Sequence, residues 1–128
     1  MKRSLQLNPD NQPATWEQIR NLRDQNELAP VNTSFGIFDC DERSDARMQE
    51  AMEQFHNLPT VVDGVLQWKR ADNTFIGLTL TQLQEVQAEI KTARAVRAAQ
   101  LHAKAEAFNQ QDPRPTPAQL QSLDFWLN

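Results

Sequence analysis

Three stretches of the chain repeat apolar residues at helical spacing. The first predicts a helix over residues 15–27, opened by Thr15 and Gln18 at the spacing of a capping box. The second predicts a helix over residues 42–57 that closes before Pro59. The apolar faces are Trp16, Ile19 and Leu22 in the first helix and Met48, Ala51, Met52 and Phe55 in the second. Each helix therefore has one face to bury.

The third stretch is longer than the other two. Thr81 and Gln84 have the spacing of a second capping box, and the helix that they open is predicted to continue to about residue 109. Its apolar stripe, regular at first and looser later, is Leu83, Val86, Ile90, Ala93, Val96, Leu101, Ala105 and Phe108. At a rise of 1.5 Å per residue, this helix is about 42 Å long, which is more than a small domain needs.

Other segments are rich in β-forming residues. Residues 31–38 predict one strand. Residues 65–70 and 74–79 flank a short Asp/Asn turn and predict a hairpin. Trp68 and Phe75 are expected to meet across it if the register of the strands allows. The element order is then α-β-α-β-β-α. The predicted fold class is α+β, with a small antiparallel sheet of about three strands packed with helices, a long C-terminal helix and an appended tail.

The two ends of the chain differ in composition from its middle. Residues 1–14 lack periodicity and predict a flexible arm, while residues 15–109 hold the predicted α+β domain. Residues 110–128 begin with three alternating prolines, which predict a stiff extended spacer. Thr116 and Pro117 then have the pattern of a cap and a first turn, so a short helix is expected after the spacer.

The apolar end of this tail is the strongest functional signal in the sequence. Leaving each of its large side chains in water is unfavourable by roughly 1.5–3 kcal/mol relative to burial. The proline spacer favours docking on another chain over folding back on the same one, so removal of residues 113–128 is expected to weaken partner binding and to leave the domain folded. The predicted partner-binding residues are Leu120, Leu123, Phe125, Trp126 and Leu127.

Composition narrows the classes of function. The chain has 128 residues and a net charge of -4, which favours neither nucleic acid nor an anionic membrane as a partner. No apolar run is long enough to cross a bilayer, and no hydrophobic run of a secretion signal follows the basic start. Cys40 is the single cysteine, which excludes an internal disulfide and a thiolate-rich metal site. Folding in a cytoplasm is expected.

One acidic segment has the carboxylate spacing of a calcium loop. The carboxylates at its first, third, seventh and twelfth places are Asp39, Asp41, Asp45 and Glu50. Arg43 and Ser44, however, stand where the loop needs an oxygen ligand and a glycine. An acidic helix start, favoured by the helix dipole, is the preferred interpretation. No catalytic, cofactor-binding or metal-binding residue is assigned, and the chain is predicted not to be an enzyme. A metal-dependent enzyme with a site around the three aspartates is the remote alternative.

Several short motifs carry a family likeness. They are a Trp-led run at 16–20, Phe-Asp-x-Asp-x-Arg-Ser at 38–44 with Arg47, Trp-x-x-Ala-Asp-Asn at 68–73, and a Leu/Thr run at 78–81. With these motifs the chain resembles, over about residues 15–109, a small domain of unknown function found in bacteriophage and prophage tail proteins, often encoded near tail-fibre genes.

The resemblance implies a structural protein of the virion, assembled in the host cytoplasm. It points to a tail-fibre or baseplate adaptor whose partners are fibre or baseplate proteins, or further copies of the chain. The alternative is an assembly chaperone that binds the tail fibre transiently and then leaves. The resemblance brings no catalytic residues, and Asp39, Asp41, Arg43, Asp72 and Asn73 are interpreted as cap and turn residues that fix the fold.

Overall fold

The computed structural model describes residues 9–128, which pack as two compact units. We call residues 28–96 the hairpin unit, and residues 9–27 together with 97–128 the tail unit. Most of the arm predicted for residues 1–14 falls outside the described residues. Within the described range, no helix combines the length and the apolar character that crossing a membrane requires.

The fold is α+β, as the sequence predicts. The helices are α1 (Trp16–Glu27), α2 (Glu42–Glu53), α3 (Leu80–Gln110), α4 (Pro117–Leu120) and α5 (Leu123–Leu127), with 3-10 turns at Pro9–Asn11 and Phe55–Asn57. The strands are β1 (Val31–Thr33), β2 (Gly36–Phe38), β3 (Leu66–Lys69) and β4 (Phe75–Leu78). The predicted long helix is therefore present as α3.

The predicted single sheet of about three strands is wrong. Two separate antiparallel hairpins form instead, β1 with β2 and β3 with β4. The segment predicted as one strand over 31–38 reverses direction at Ser34 and Phe35. Gly36 permits this reversal, because it has a φ of 112°, which residues with a side chain rarely adopt. A Cβ atom on Gly36 would also lie 2.7 Å from Cδ of Arg70.

Replacing Gly36 by alanine is expected to lower the free energy of unfolding of the hairpin unit by about 2 kcal/mol, since it adds a strained φ and a collision with Arg70. The matched control is Gly64→Ala, where φ is 73° but no heavy atom stands within 4 Å of the added Cβ. Urea titrations of both variants should show the larger loss for Gly36→Ala. Equal losses would contradict the close packing of Arg70 on Gly36.

The register of the second hairpin also corrects an expectation. Trp68 lies opposite Ile76, and Phe75 lies opposite Lys69, so the predicted pairing of Trp68 with Phe75 is absent. Trp68 and Ile76 pack against the core of the hairpin unit, whereas Phe75 is 62% exposed. The two aromatic rings therefore lie on opposite faces of the hairpin.

The predicted capping box is present at the start of α1, whereas at the start of α3 a different pair of residues forms the box. Thr15 and Gln18 cap α1 reciprocally, with N–H to side-chain oxygen distances of 2.9 and 3.1 Å. The box that opens α3 is formed by Thr79 and Gln82 and not by Thr81 and Gln84, because the helix begins earlier than predicted. Helix α2 ends at Glu53, before the predicted residue 57, and a separate 3-10 turn follows.

The hairpin unit has its own core, built from both hairpins, α2 and the first half of α3. Its buried side chains are Val31, Phe38, Cys40, Met48, Ala51, Phe55, Leu66, Leu78, Leu83, Val86 and Ile90. The Cys40 thiol lies in this core, 3.1 Å from the carbonyl oxygen of Ala29. Cys40 therefore acts as a small packed side chain, as residues of its type usually do.

The tail unit has a second core, to which α3 contributes its later residues. The buried side chains are Ala14, Ile19, Leu22, Leu101, Ala105, Phe108, Leu120 and Trp126. On the face of α3 that carries Ile90 and Leu101, the positions between them at helical spacing are Arg94 and Arg97. Two arginines therefore interrupt the apolar stripe of this helix. Val96 lies off that stripe and is 54% exposed. The looser spacing in the sequence therefore marks the boundary between the two units.

Candidate functional site

The structure places the five predicted partner-binding residues in different environments. Leu120 and Trp126 are fully buried in the core of the tail unit. Leu123 and Phe125 are partly buried against the same core, and Leu127 is 43% exposed. The tail thus folds back on its own chain, where most of its apolar surface is already covered. A role for these residues in binding a partner stays a prediction.

The carbonyl oxygen of Leu120 fixes the position of the tail. It accepts a hydrogen bond from Asn26 Nδ2 at 2.9 Å and another from Trp126 Nε1 at 2.9 Å. The Trp126 ring meets Phe108 edge to face with centroids 5.1 Å apart, and Phe125 stacks on Phe108 at 5.4 Å. Two buried polar donors are satisfied in this way, and the aromatic contacts add to the burial of apolar surface.

The proline-rich segment packs into the tail unit as well. Pro115 and Pro117 are buried, and the Pro115 carbonyl accepts a hydrogen bond from the Ala14 N–H at 2.8 Å. Arg114 donates from Nε to the carbonyl oxygen of Asn109 at 3.2 Å. The predicted cap is confirmed, because Thr116 and Gln119 form a capping box with proline in the first turn of α4. The segment is held by contacts and does not act as a free spacer.

A cleft in the hairpin unit brings together two of the motifs that carry the family likeness. Its volume is about 440 Å³, within the range of ligand-binding pockets. The motif at 38–44 with Arg47 supplies one wall, and the motif at 68–73 supplies the other. We call this the motif cleft, and its lining residues are Phe38, Asp39, Ser44, Arg47, Met48, Gln67, Trp68, Lys69, Arg70, Asn73 and Phe75.

The first wall is positioned by the start of α2. Asp41 is the N-cap, and its Oδ1 accepts a hydrogen bond from the Ser44 N–H at 2.9 Å. Hydrogen bonding from Ser44, helped by the charge of Arg47, lowers the pKa of Asp41 below its ordinary value. The interpretation of Asp41 as a cap residue is therefore confirmed, and the cap fixes the helix turn from which Arg47 projects.

Replacing Asp41 by alanine is expected to lower the free energy of unfolding by about 1 kcal/mol near neutral pH. Because the folded-state pKa of Asp41 is depressed, its contribution is present above the unfolded value near 3.8 and is lost as pH falls through the folded value. The difference between wild type and variant should therefore shrink below about pH 4 in denaturant titrations at several pH values. Asp39→Ala is the control, and a difference that persists at low pH would contradict the capping role.

The second wall is positioned by the turn of the second hairpin. Asp72 accepts hydrogen bonds from the side chain and the N–H of Thr74, which lower the pKa of Asp72. Asn73 has a φ of 69°, the left-handed conformation that asparagine tolerates at the end of a three-residue hairpin loop. The predicted role of Asp72 and Asn73 as turn residues is confirmed.

Arg70 joins the two hairpins. Its Nη1 donates to the carbonyl oxygen of Phe35 at 3.0 Å, and its Nε donates to Thr74 Oγ1 at 2.9 Å. The neighbouring Ala71 N–H donates to the carbonyl oxygen of Ile37 at 2.9 Å. The guanidinium is thus engaged in holding the fold, although it also lines the motif cleft.

The remaining charged side chains of the motif cleft face solvent. Arg47, Lys69 and Asp39 are exposed, and among residues 9–128 none of the three forms a hydrogen bond or an ion pair through its side chain. With Arg70, the cleft carries three cations and one carboxylate, on a chain whose net charge is -4. Exposed Phe75 adds apolar surface beside Lys69. The arrangement suits a ligand with acidic and apolar groups.

The other motifs lie elsewhere. Trp16 and Arg20 belong to the tail unit, with the guanidinium 5.6 Å from the centroid of the indole ring. The run at 78–81 supplies Thr79, the cap of α3. The acidic segment considered for calcium does not converge on one point, since no three His, Cys, Asp or Glu side chains of the described chain are grouped as ligands for a metal ion.

The sequence patterns missed the parts of the motif cleft that depend on register. Lys69 and Phe75 form a cross-strand pair on the exposed face of the second hairpin, which no single segment reveals. A signal for Phe75 was present, because the residue alternates with Ile76 in a strand whose other face is buried. The contact of Arg70 with the first hairpin joins residues 35 positions apart and has no local signal.

Comparison with known proteins gives one finding. A family profile described as Domain of unknown function (DUF4376) matches residues 10–122, so the chain belongs to this family. No curated protein and no solved structure matches the chain significantly.

Proposed function

We propose that this member of the domain-of-unknown-function family is a non-enzymatic structural protein of a bacteriophage tail. It acts as a tail-fibre or baseplate adaptor and works by binding other proteins. Within this proposal the motif cleft is the principal binding surface, and the exposed end of the tail at Leu127 is a second contact. The protein is made in the host cytoplasm and resides in the virion.

The convergence of two motifs on the motif cleft is the observation that carries this proposal. The residues that resemble phage tail proteins do more than cap helices and close turns, because they also surround an open surface with an exposed aromatic ring and solvent-facing cations. Aromatic and arginine side chains are enriched among the anchors of protein interfaces. A binding role therefore explains both the motif positions and their exposure.

The test is quantitative mass spectrometry of purified, intact particles from a host that encodes the chain, with the major capsid protein as the internal reference. The expected result is a fixed copy number that matches the symmetry of a tail. Absence from particles despite abundance in infected cells would overturn the adaptor and support the assembly chaperone. Absence from both particles and fibre-protein pull-downs would overturn both.

The remote alternative, a metal-dependent enzyme around Asp39, Asp41 and Asp45, is tested separately. Binding of calcium or magnesium to the native state must raise the melting temperature. A raised melting temperature that Asp41→Asn and Asp45→Asn together abolish would favour the enzyme over the adaptor. We expect titration with either ion to leave the melting temperature unchanged.

A further inference from the structure

The outer edge of β3 presents backbone groups that β4 does not use. In an antiparallel pair, alternate residues bond to the partner strand and the others direct their N–H and C=O groups away from it. Arg70 N–H donates to the Thr74 carbonyl at 2.7 Å, so Arg70 is a bonded position. By the register of the hairpin, Trp68 is the next bonded position, whereas Gln67 and Lys69 point their backbone groups away from β4.

The same alternation applies to β2. Ile37 occupies a position of β2 that does not bond to β1, so its carbonyl points away from β1. This carbonyl accepts a hydrogen bond from the Ala71 N–H at 2.9 Å. Among the described residues, this backbone bond joins the outer edges of the two hairpins. Beyond it, the motif cleft is lined by Gln67 and Lys69 on the β3 side and by Asp39 on the β2 side.

The backbone groups of these three residues have no hydrogen-bond partner within residues 9–128. An unpaired strand edge is a template for another strand, and proteins that leave one accessible commonly use it to capture an extended peptide. The side chains that alternate along such an edge then select the sequence of that peptide.

We propose that the motif cleft binds an extended, acidic segment of a partner protein, which adds a strand to the β3 edge at Gln67 and Lys69. This inference deepens the proposed function and rests on its protein-binding part. The segment pairs its main chain with the two residues, places carboxylates near Lys69 and Arg47, and packs an apolar side chain against Phe75. The local excess of cations on an acidic chain is what identifies the occupant as acidic.

A second copy of the chain is a poorer occupant. If two β3 edges paired with each other, the Lys69 residues and the Arg47 residues of both copies would be brought to one interface. Like charges placed across paired strands are destabilising. An acidic segment of a different protein has no such conflict.

The probe is a set of twelve-residue peptides selected on the intact wild-type chain from a random displayed library, with affinities then measured by fluorescence anisotropy. The decisive variant is Lys69→Pro. Because the Lys69 N–H points away from β4, proline removes a donor of the motif cleft and no bond of the hairpin. Lys69→Ala keeps the N–H and loses the charge, and Lys91→Ala removes an exposed cation of α3 outside the cleft.

We expect the selected peptides to be acidic and to carry an apolar residue two positions from an acidic one, because Lys69 and Phe75 lie on the same face of the hairpin. Lys69→Pro should weaken binding about tenfold, Lys69→Ala about threefold, and Lys91→Ala not measurably. N-methylation of alternate backbone amides in the best peptide should weaken binding to the wild-type chain as much as Lys69→Pro does. This second measurement keeps the test valid if the proline variant fails to fold, which circular dichroism would reveal.

Three results of the peptide measurements would overturn the proposal. These are the recovery of no peptide, the recovery of basic peptides, and equal binding of the selected peptides to wild type and to Lys69→Pro. Self-association of the wild type that competes with the peptides would make a second copy the occupant and would also overturn it. Particle composition is measured independently of peptide binding. If the protein is present in virions but does not bind these peptides, the strand-addition proposal fails and the proposed function still holds.

Discussion

Replacing Trp126 by alanine is expected to lower the free energy of unfolding of the tail unit by about 3–5 kcal/mol, the usual cost of truncating a fully buried large aromatic side chain. The substitution leaves a cavity beside Phe108 and removes the indole N–H that donates to the Leu120 carbonyl. Because whole domains are stable by only about 5–15 kcal/mol, this loss would populate states in which the tail unit is open.

Two controls separate the contributions of Trp126. Leu127→Ala changes a neighbouring residue that is 43% exposed and should cost less than about 1 kcal/mol. Trp126→Phe keeps an aromatic ring and removes only the donor and part of the volume, so its cost should lie between the two alanine variants. Urea titration followed by circular dichroism gives the three values. A Trp126→Ala variant as stable as Leu127→Ala would show that the tail docks somewhere other than in this core.

Removal of residues 113–128 is expected to unfold most of the tail unit. The truncation deletes Leu120 and Trp126 from the core, exposes the apolar face of α1, and leaves the buried Asn26 amide with one of its two acceptors. The lost hydrogen bond to Leu120 adds about 1 kcal/mol to the cost of the lost apolar burial. This expectation replaces the one drawn from the proline-rich composition, by which the domain would remain folded.

Hydrogen exchange measured by mass spectrometry shows where the truncated chain has lost its structure. Protection should fall in residues 16–27 and 97–110, while the hairpin unit keeps its own core over residues 28–96. The variant Gln121→Ala, which changes an exposed tail residue and deletes nothing from the core, should behave as wild type. Unchanged protection in α1 after the truncation would contradict the packing of the tail on that helix.

The helices were predictable because their information is local. The apolar stripe of α1 and its cap by Thr15 and Gln18 lie within one short stretch, and the structure has both. The start of α3 was missed by two residues because Thr79 and Thr81 are each followed by glutamine at capping-box spacing. Either pair satisfies the local rule, and the end of β4 decides between them.

The sheet and the tail were not predictable in this way. A glycine in a β-rich run gives no sign of whether it continues a strand or reverses it, and the reversal before Gly36 is packed against Arg70, which is distant in sequence. Alternating prolines have the same composition whether they span solvent or lie buried, as Pro115 and Pro117 do. In both cases long-range contacts override the local preference.

In the candidate site, too, the residues with local roles were predictable and the long-range arrangement was not. Asp41, Asp72 and Asn73 were recognisable as cap and turn residues, since each acts on backbone within a few positions of itself. The motif cleft was not recognisable, because it exists only when α2 and the second hairpin have folded around the same core. The two motifs could be recognised in the sequence, but the sequence did not show that they lie on opposite walls of one cleft.

The discontinuous tail unit imposes an order of events during protein synthesis. Asn26 and its acceptor Leu120 are 94 residues apart, so α1 leaves the ribosome well before the residues that cover it. At about 5–20 residues per second, that interval lasts roughly 5–20 s. The hairpin unit is contiguous and is completed within it, whereas Ile19 and Leu22 stay uncovered until translation reaches the tail. The apolar face of the nascent α1 is therefore exposed throughout this interval, and slow translation prolongs its exposure.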